Sequence, residues 1–542
     1  MRSLRFLNEG NTLLFLGLLA AACFAVYFPV LGHEFVQWDD YQLILENLLV
    51  RSFSPAIFWT FDPELYVPLT LLSFQIEYAT MGAEPFLFHL TNLLLHIVNT
   101  GLVFFLLKKL LKENLLAFAG ALLFALHPIQ AETVSWISAR KELLMTFFFL
   151  SALLTALRGE KKWTYASWIL FLCALLSKVT ALTFPFVLGL LLLQRNEKPK
   201  EISKTIAPYL ALSILFGIIG LMGRDEALKL LTPLQTILLA FRSFTFYLQQ
   251  FFVPLQFSTI YPAPTDISFG NIAMLISIVI VATLIAIAWL LRKKYPLVSI
   301  GFFFFVVTIA PSFLAYGKSG DVTLAADRYA YLPLIGLVIL VLAGCDSLSR
   351  RWRRFAPAAI IALVLLLSVK TFTQAQTWRT SETLFGNVLN LYPDSHIALN
   401  NLGFVELERN QMDKAIAYFE KALERKPIYP DALVSLGAAY GKKNMLNEAE
   451  AALTKALSYQ PNHPRGVYNL AGVYMLRNKN DEAIRLYKKA IELGPFFTPS
   501  YWHLARIYLK IGKSDEAREI YMQLLKIDPS YRGRSTELDT LL

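Results

Sequence analysis

Only three cysteines occur in 542 residues, Cys23, Cys173 and Cys345, and all three fall inside apolar runs. Their spacing supports neither a disulfide framework nor a metal site, so they read as core residues. Asn-x-Ser/Thr triplets are absent altogether. With so little cysteine, that absence points to a bacterial cytoplasmic membrane facing a periplasm rather than to an endoplasmic reticulum. Charge is scarce as well. Charged residues make up 17% of the chain against 56% hydrophobic, and the mean hydropathy is +0.48. Such a balance excludes a soluble globular protein, and most of the chain must face lipid. The net charge of +11 does not indicate nucleic acid, because the basic residues gather at the ends of apolar runs, where they set topology and meet anionic headgroups.

What is present divides the chain in two. Residues 1–373 hold the apolar runs, with spans expected near 11–30, 87–107, 114–127, 143–157, 164–177, 179–194, 205–222, 271–291, 297–315, 330–345 and 356–373, about eleven in all. The first run has a basic flank, Arg2 and Arg5, but no small-residue cleavage signal, and is taken as a retained span. Basic clusters at 2–5, 108–112, 158–162, 195–200, 292–294 and 350–354 alternate along the sequence and belong on the cytoplasmic side. Segments 64–80 and 234–256 are expected to lie along or partly in the membrane without crossing it.

That topology gathers the remaining polar residues on the outer face: Trp38-Asp39-Asp40, the stretch from His127 to Glu142, Lys178, Arg224-Asp225-Glu226 and Asp327-Arg328. Adjacent carboxylates directly behind a span are costly to desolvate, so Asp39-Asp40 reads either as a site or as a solvated cap. A site there suits an anionic lipid headgroup. The alternative for each cation alone is ordinary snorkelling.

Residues 374–542 are polar and periodic. Pro393, Pro427, Pro461, Pro495 and Pro529 recur every 34 residues. Leu402, Leu436, Leu470 and Leu504 keep the same register, as do Ala415, Ala449, Ala483 and Ala517. This is the period and pattern of tetratricopeptide helix pairs, with four full repeats after a half-repeat. Such α-solenoids present a concave groove suited to extended peptides, the alternative being a rigid spacer. The fold class expected is therefore all-α: a polytopic membrane body followed by a tetratricopeptide solenoid.

In order along the chain stand Trp38-Asp39-Asp40, His89-Leu90-Thr91-Asn92-Leu93-Leu94-Leu95-His96, His127-Pro128 with Glu132, Ala139-Arg140-Lys141-Glu142, Ser177-Lys178 and Asp327-Arg328-Tyr329-Ala330-Tyr331-Leu332-Pro333, with the repeats behind them. The series resembles the transmembrane-and-tetratricopeptide-repeat family of protein O-mannosyltransferases and its bacterial relatives. That resemblance implies the C-type glycosyltransferase membrane fold. It also implies transfer of a sugar, mannose or a similar hexose, from a polyprenyl-phosphate-sugar donor to a protein hydroxyl on the non-cytoplasmic face. It further implies a catalytic carboxylate at Asp39 or Asp40. The chain departs from the family in having Ala139-Arg140-Lys141-Glu142 where Gly-Arg-Ala-Asp is usual, and Asp327 where Glu is frequent.

Such a transfer needs a base within reach of the acceptor hydroxyl, for which Asp39 and Asp40 are the candidates, and cations to hold the leaving phosphate. Arg140, Lys178 and Arg328 are the candidate phosphate ligands. His127, Glu132 and His89 are candidate supporting groups, and His96 reads as a core residue. A divalent metal bridging Asp39/Asp40 and phosphate is open from the carboxylates alone, although no His/Cys spacing supports it. Two other functions fit the composition: a non-enzymatic membrane scaffold recruiting envelope proteins through its repeats, and a ligase using an intact lipid-linked oligosaccharide. The acceptor protein is expected in the solenoid groove.

Overall fold

The computed structural model describes the chain apart from residues 1, 62–64, 112, 223–230 and 319–320 and the side chains of 2–11, 318, 350 and 351. The segment Arg224-Asp225-Glu226 thus lies outside the described residues. The chain forms two compact units, Met1–Thr380 and Ser381–Leu542.

Helices build the first unit. Among the described residues six are long and apolar enough to cross a bilayer: Thr12–Gly32, Pro85–Leu111, Pro199–Met222, Ile272–Leu291, Pro296–Leu314 and Ala356–Gln376. A seventh arises if Asn114–Leu126 and Pro128–Ser135 count as one span bent by 50°. The bend falls at His127-Pro128, where proline cannot continue the ladder and its predecessor is driven extended. Length and composition alone therefore give fewer crossings than eleven. The other expected spans are shorter helices: Arg140–Ala156 and Lys161–Ser177 with 17 residues each, Phe184–Gln194 with 11 and Leu334–Asp346 with 13. The segment at 64–80 forms the helix Pro68–Met81, which buries Phe74, Gln75 and Glu77. The one at 234–256 forms Pro233–Phe252, opened by a capping box between Thr232 and Gln235.

Polar groups sort to opposite ends of this unit. The Leu157 carbonyl accepts hydrogen bonds from Lys109 (3.2 Å) and Arg195 (2.9 Å), drawing three basic clusters together. Arg353 pairs with Glu113 and Asp346 at 3.2 and 2.6 Å. Seventeen residues before Leu157, at the other end of the helix Arg140–Ala156 and about 25 Å away at 1.5 Å per residue, stands Arg140, followed by Lys141 and Glu142. A three-stranded antiparallel sheet lies at that second end, with Asp321–Ala325 between Tyr261–Pro262 and Gly317–Lys318.

Backbones approach closely where Pro296–Ile309 crosses Leu334–Asp346. A Cβ on Gly336 would lie 2.5 Å from the Phe305 nitrogen, and one on Gly301 would lie 2.7 Å from the Gly336 carbonyl oxygen. Small residues at helix crossings are how membrane helices gain contact without a hydrophobic drive. Gly336→Ala is expected to cost about 1–3 kcal/mol because backbone, not a side chain, must move. Gly344→Ala on the same helix meets nothing within 4 Å and serves as control. Thermal unfolding in detergent should show a lower midpoint for the first only. Equal midpoints would mean that the crossing relaxes freely.

The second unit is a tetratricopeptide solenoid. After Ser381–Leu391 come four antiparallel pairs, from His396–Glu408 with Met412–Arg425 to Thr498–Lys510 with Ser514–Ile527. Its core stacks Ala415, Phe419, Ala449, Leu453, Ala483, Tyr487, Ala517 and Tyr521, all buried. Each pair turns through one left-handed residue, Asn410, Asn444, Asn478 and Gly512, again 34 apart. Gly403 and Gly437 are small of necessity, since a Cβ there would reach within 2.5 Å of Phe419 and Leu453.

Candidate functional site

The loop after the first span folds back on itself. Asp40 Oδ2 accepts from the Val36 amide at 3.1 Å. Its Oδ1 accepts from the amide and hydroxyl of Ser138 at 3.0 and 2.5 Å. Asp40 is thereby a buried clamp joining this loop to the turn at 137–139, and both its oxygens are used. Asp39 projects differently. Its Oδ2 lies 3.6 Å from Lys141 Nζ.

Around Lys141 the charges alternate. Lys178 pairs with Glu142 at 2.6 Å, and Arg328 pairs with Glu132 at 2.6 Å. Tyr329 lies beneath both cations, 4.9 Å from Lys178 Nζ and 4.8 Å from the Arg328 guanidinium carbon. Glu142, Lys178, Arg328 and Tyr329 line a small pocket with Thr180, Thr308 and Ser312. Asp39 borders this group through Lys141 rather than lining the pocket itself. Among the charged side chains of the cluster it keeps the largest open fraction, 19% against 13% for Lys178, 9% for Arg328 and 2–3% for Glu142 and Glu132. One pair consumes only part of each cation's capacity, since guanidinium carries five N–H donors and ammonium three. Both can therefore take an anion besides their carboxylates.

The segment carrying Arg328 is held from behind by aromatic hydroxyls. Tyr247 bonds both the carbonyl and the amide of Ala326, at 3.0 and 3.2 Å. Tyr261 donates to Asp327 at 3.0 Å and accepts from Gln250 and Ser258. Burial pushes the Asp327 carboxyl well above its ordinary value, and the neighbouring Glu132 carboxylate pushes the same way. Burial lowers the Lys141 ammonium, against the pull of Asp39 and Glu142.

Not every expected site residue joins the cluster. Arg140 does not. Its guanidinium is fully buried and binds Glu77 (2.9 Å), the Phe88 carbonyl (2.7 Å), Ser73 (3.3 Å) and Asn92. Successive helical residues diverge by about 100°, so Arg140 and Lys141, adjacent in sequence, face different partners. His127 caps its own turn, with Nε2 donating to the Phe251 carbonyl at 3.0 Å and Nδ1 accepting from the Ile129 amide at 3.2 Å. His89 packs edge-on to His33. His96 is held by Tyr331 and the Ala125 carbonyl within the core. Lys141, Glu142, Ser138 and Trp136 are site members to which the sequence assigned no role, the first two although they stand in a quoted motif. Their signal in sequence is a polar pair opening an apolar helix, without a hint of its distant partners.

A metal bridge at Asp39/Asp40 does not fit these donors. Asp40 is spent on N–H and O–H groups, and an ammonium stands beside Asp39. Among the described residues no three His, Cys, Asp or Glu side chains approach closely enough to hold a metal ion.

Burial moves the Asp40 carboxyl from 3.8 up to about 6, against its hydrogen bonds from Ser138 and Val36. A raised folded value means that the native state holds the proton more tightly than the unfolded chain. The stabilisation is complete below about pH 4 and is lost as pH rises through about 6. The melting temperature of the wild type should therefore fall relative to Asp40→Asn between about pH 4 and 6.5. Parallel profiles would contradict this ionisation.

The fold and this charged pocket together define a polytopic helical membrane protein bearing a tetratricopeptide solenoid. The tetratricopeptide-repeat signature matches residues 370–432, 406–466, 442–504 and 498–531. Protein O-mannosyl-transferase F38B6.6 of Caenorhabditis elegans is 25% identical over 436 residues, covering 74% of this chain and 61% of that one. Human Protein O-mannosyl-transferase TMTC1 is 27% identical over 497 residues, covering 77% and 55%. The crystal structure of MamA aligns at 24% identity and a TM-score of 0.25, covering 28% of this chain and 88% of its own. The chain is thus similar to proteins named protein O-mannosyl-transferases, and it spans about half to three fifths of the length of these two.

Proposed function

We propose that this chain is a membrane glycosyltransferase that moves a hexose, mannose or one like it, from a polyprenyl-phosphate-sugar to a hydroxyl of a protein. The observation that carries the reading is the meeting of Asp39, Lys141, Glu142, Lys178, Glu132 and Arg328, from four separate segments, at the end of the membrane unit opposite the basic clusters. Similarity to proteins named as O-mannosyl-transferases supports it.

In this mechanism Asp39 accepts the proton of the acceptor hydroxyl as its oxygen attacks the anomeric carbon. The bond from that carbon to the phosphate oxygen breaks, and the phosphate departs on its lipid. Arg328 and Lys178 hold the phosphate and meet the charge that develops on it. Lys141 stands 3.6 Å from Asp39, and Asp40 fixes the loop through Ser138 instead of touching substrate. Arg140 has no part in donor binding. The solenoid groove takes the acceptor protein as an extended segment.

The basic clusters argue for a cytoplasmic placement of their end of the unit and an outer placement of the site. In a bacterium that outer side is the periplasm. The deciding experiment reconstitutes the purified protein with polyprenyl-phosphate-[³H]mannose and envelope proteins. Label in a protein band, with the glycopeptide identified by mass spectrometry, is expected. Label that never leaves the lipid would favour a scaffold, and transfer only from a complete lipid-linked oligosaccharide would favour a ligase.

A further inference from the structure

The stretch through which the chain leaves its membrane unit is packed into the site. Ala356–Gln376 ends two residues before Trp378, and Ser381 opens the first solenoid helix. Trp378 is buried, and its ring stacks on Trp136 with centroids 5.4 Å apart and planes 24° from parallel. Trp136 stands two residues before Ser138, the clamp on Asp40. Its ring carries the Arg328 guanidinium carbon at 5.0 Å and Lys141 Nζ at 5.5 Å. The next residue is fastened too. The Glu34 amide, five residues before Asp39, donates to the Arg379 carbonyl at 3.0 Å. Thr371 donates to the Leu126 carbonyl at 2.7 Å, at the entrance to the turn carrying Glu132.

We propose that Trp378 is a positioning residue for sugar transfer: through its stack on Trp136 it sets where Arg328 and Lys141 stand relative to Asp39. The geometry of the site is then tied to the same four-residue segment that joins the membrane unit to the repeats. The cations meet Trp136 through its π face, so their placement depends on the orientation of that ring. Offset stacking on a second flat ring restrains this orientation in a way that apolar bulk does not. The kinetic part rests on the function proposed above, and the structural part does not.

The test uses the full chain in nanodiscs with Trp378→Phe and Trp378→Leu. Phe retains a flat ring, and Leu retains apolar volume alone. Amide hydrogen exchange over 132–142 and mannose transfer from polyprenyl-phosphate-mannose to protein are both measured. Leu is expected to raise exchange across that turn and to lower kcat roughly three- to tenfold, more than it raises donor KM. Phe is expected to stay near wild type in both. Exchange in the Leu variant equal to wild type overturns the inference whatever the kinetics show. So does a kcat equal to wild type, or a Phe variant as impaired as Leu. If the Leu variant does not insert, Trp378→Met takes its place with the same criteria. A wild type that transfers no mannose overturns the functional reading instead, and exchange alone then decides for Trp378.

Discussion

Asp39→Asn is expected to lower sugar transfer by about 10²–10⁴, the usual cost of losing a general base, while donor binding changes little. Asn keeps the size of the side chain and still bonds, but it cannot take the proton from the attacking hydroxyl. The two neighbouring carboxylates should behave differently. Asp39 keeps an open fraction and faces an ammonium at 3.6 Å, whereas both oxygens of Asp40 are engaged by Val36 and Ser138. Asp40→Asn leaves one carbonyl oxygen to serve three donors, so its loss should appear first as a looser loop and a lower melting temperature. Transfer from polyprenyl-phosphate-mannose and donor binding by titration, measured on both variants, separate the roles. Wild-type transfer by folded Asp39→Asn would take the base away from this loop.

The second large effect separates two arginines. Arg140→Ala leaves Glu77 buried without its cation, a change that typically costs 3–5 kcal/mol. The protein should assemble poorly, and whatever fraction folds should bind donor as wild type does. Arg328→Ala also leaves a buried acid, Glu132, but it opens the pocket and removes a cation from it. Donor affinity should then fall in the folded fraction, with only partial rescue by Lys, which lacks the planar fork. Unfolding in denaturant and donor binding, measured on both variants, give two axes. Equal loss of donor affinity in both would return Arg140 to the phosphate site.

Lys178→Ala complements this comparison. Its partner Glu142 is almost wholly buried, so some loss of stability accompanies any loss of donor affinity. A binding defect larger than the stability defect is the signature of a ligand role.

Much of this was legible in the chain without coordinates. Apolar runs too long for a soluble core announce a membrane unit, because hydrocarbon tolerates no charge and no unpaired backbone. A 34-residue period announces the solenoid, because each helix pair buries its face only on a neighbour built alike. Left-handed Asn410, Asn444, Asn478 and Gly512 repeat with the same period and could have been added from sequence.

The residue types of the site were legible too, because carboxylates and cations beside apolar runs are few. Which of them meet was not. The pairs Asp39–Lys141, Glu132–Arg328 and Glu142–Lys178 join residues from 36 to 196 positions apart. No local pattern encodes such a separation. Arg140 and Lys141 stand side by side in the motif, yet a single helical step sends one to Glu77 and the other to Asp39. Asp39 and Asp40 are the same residue type in adjacent positions, and only the place of the Ser138 turn makes one a clamp and leaves the other facing an ammonium. The sequence by itself determined a membrane body, a repeat domain and a short list of charged residues, since these follow from periodicity and solvation. Their division into working groups and structural ones was decided by tertiary structure alone, because burial and partner choice are properties of packed helices and not of neighbours along the chain.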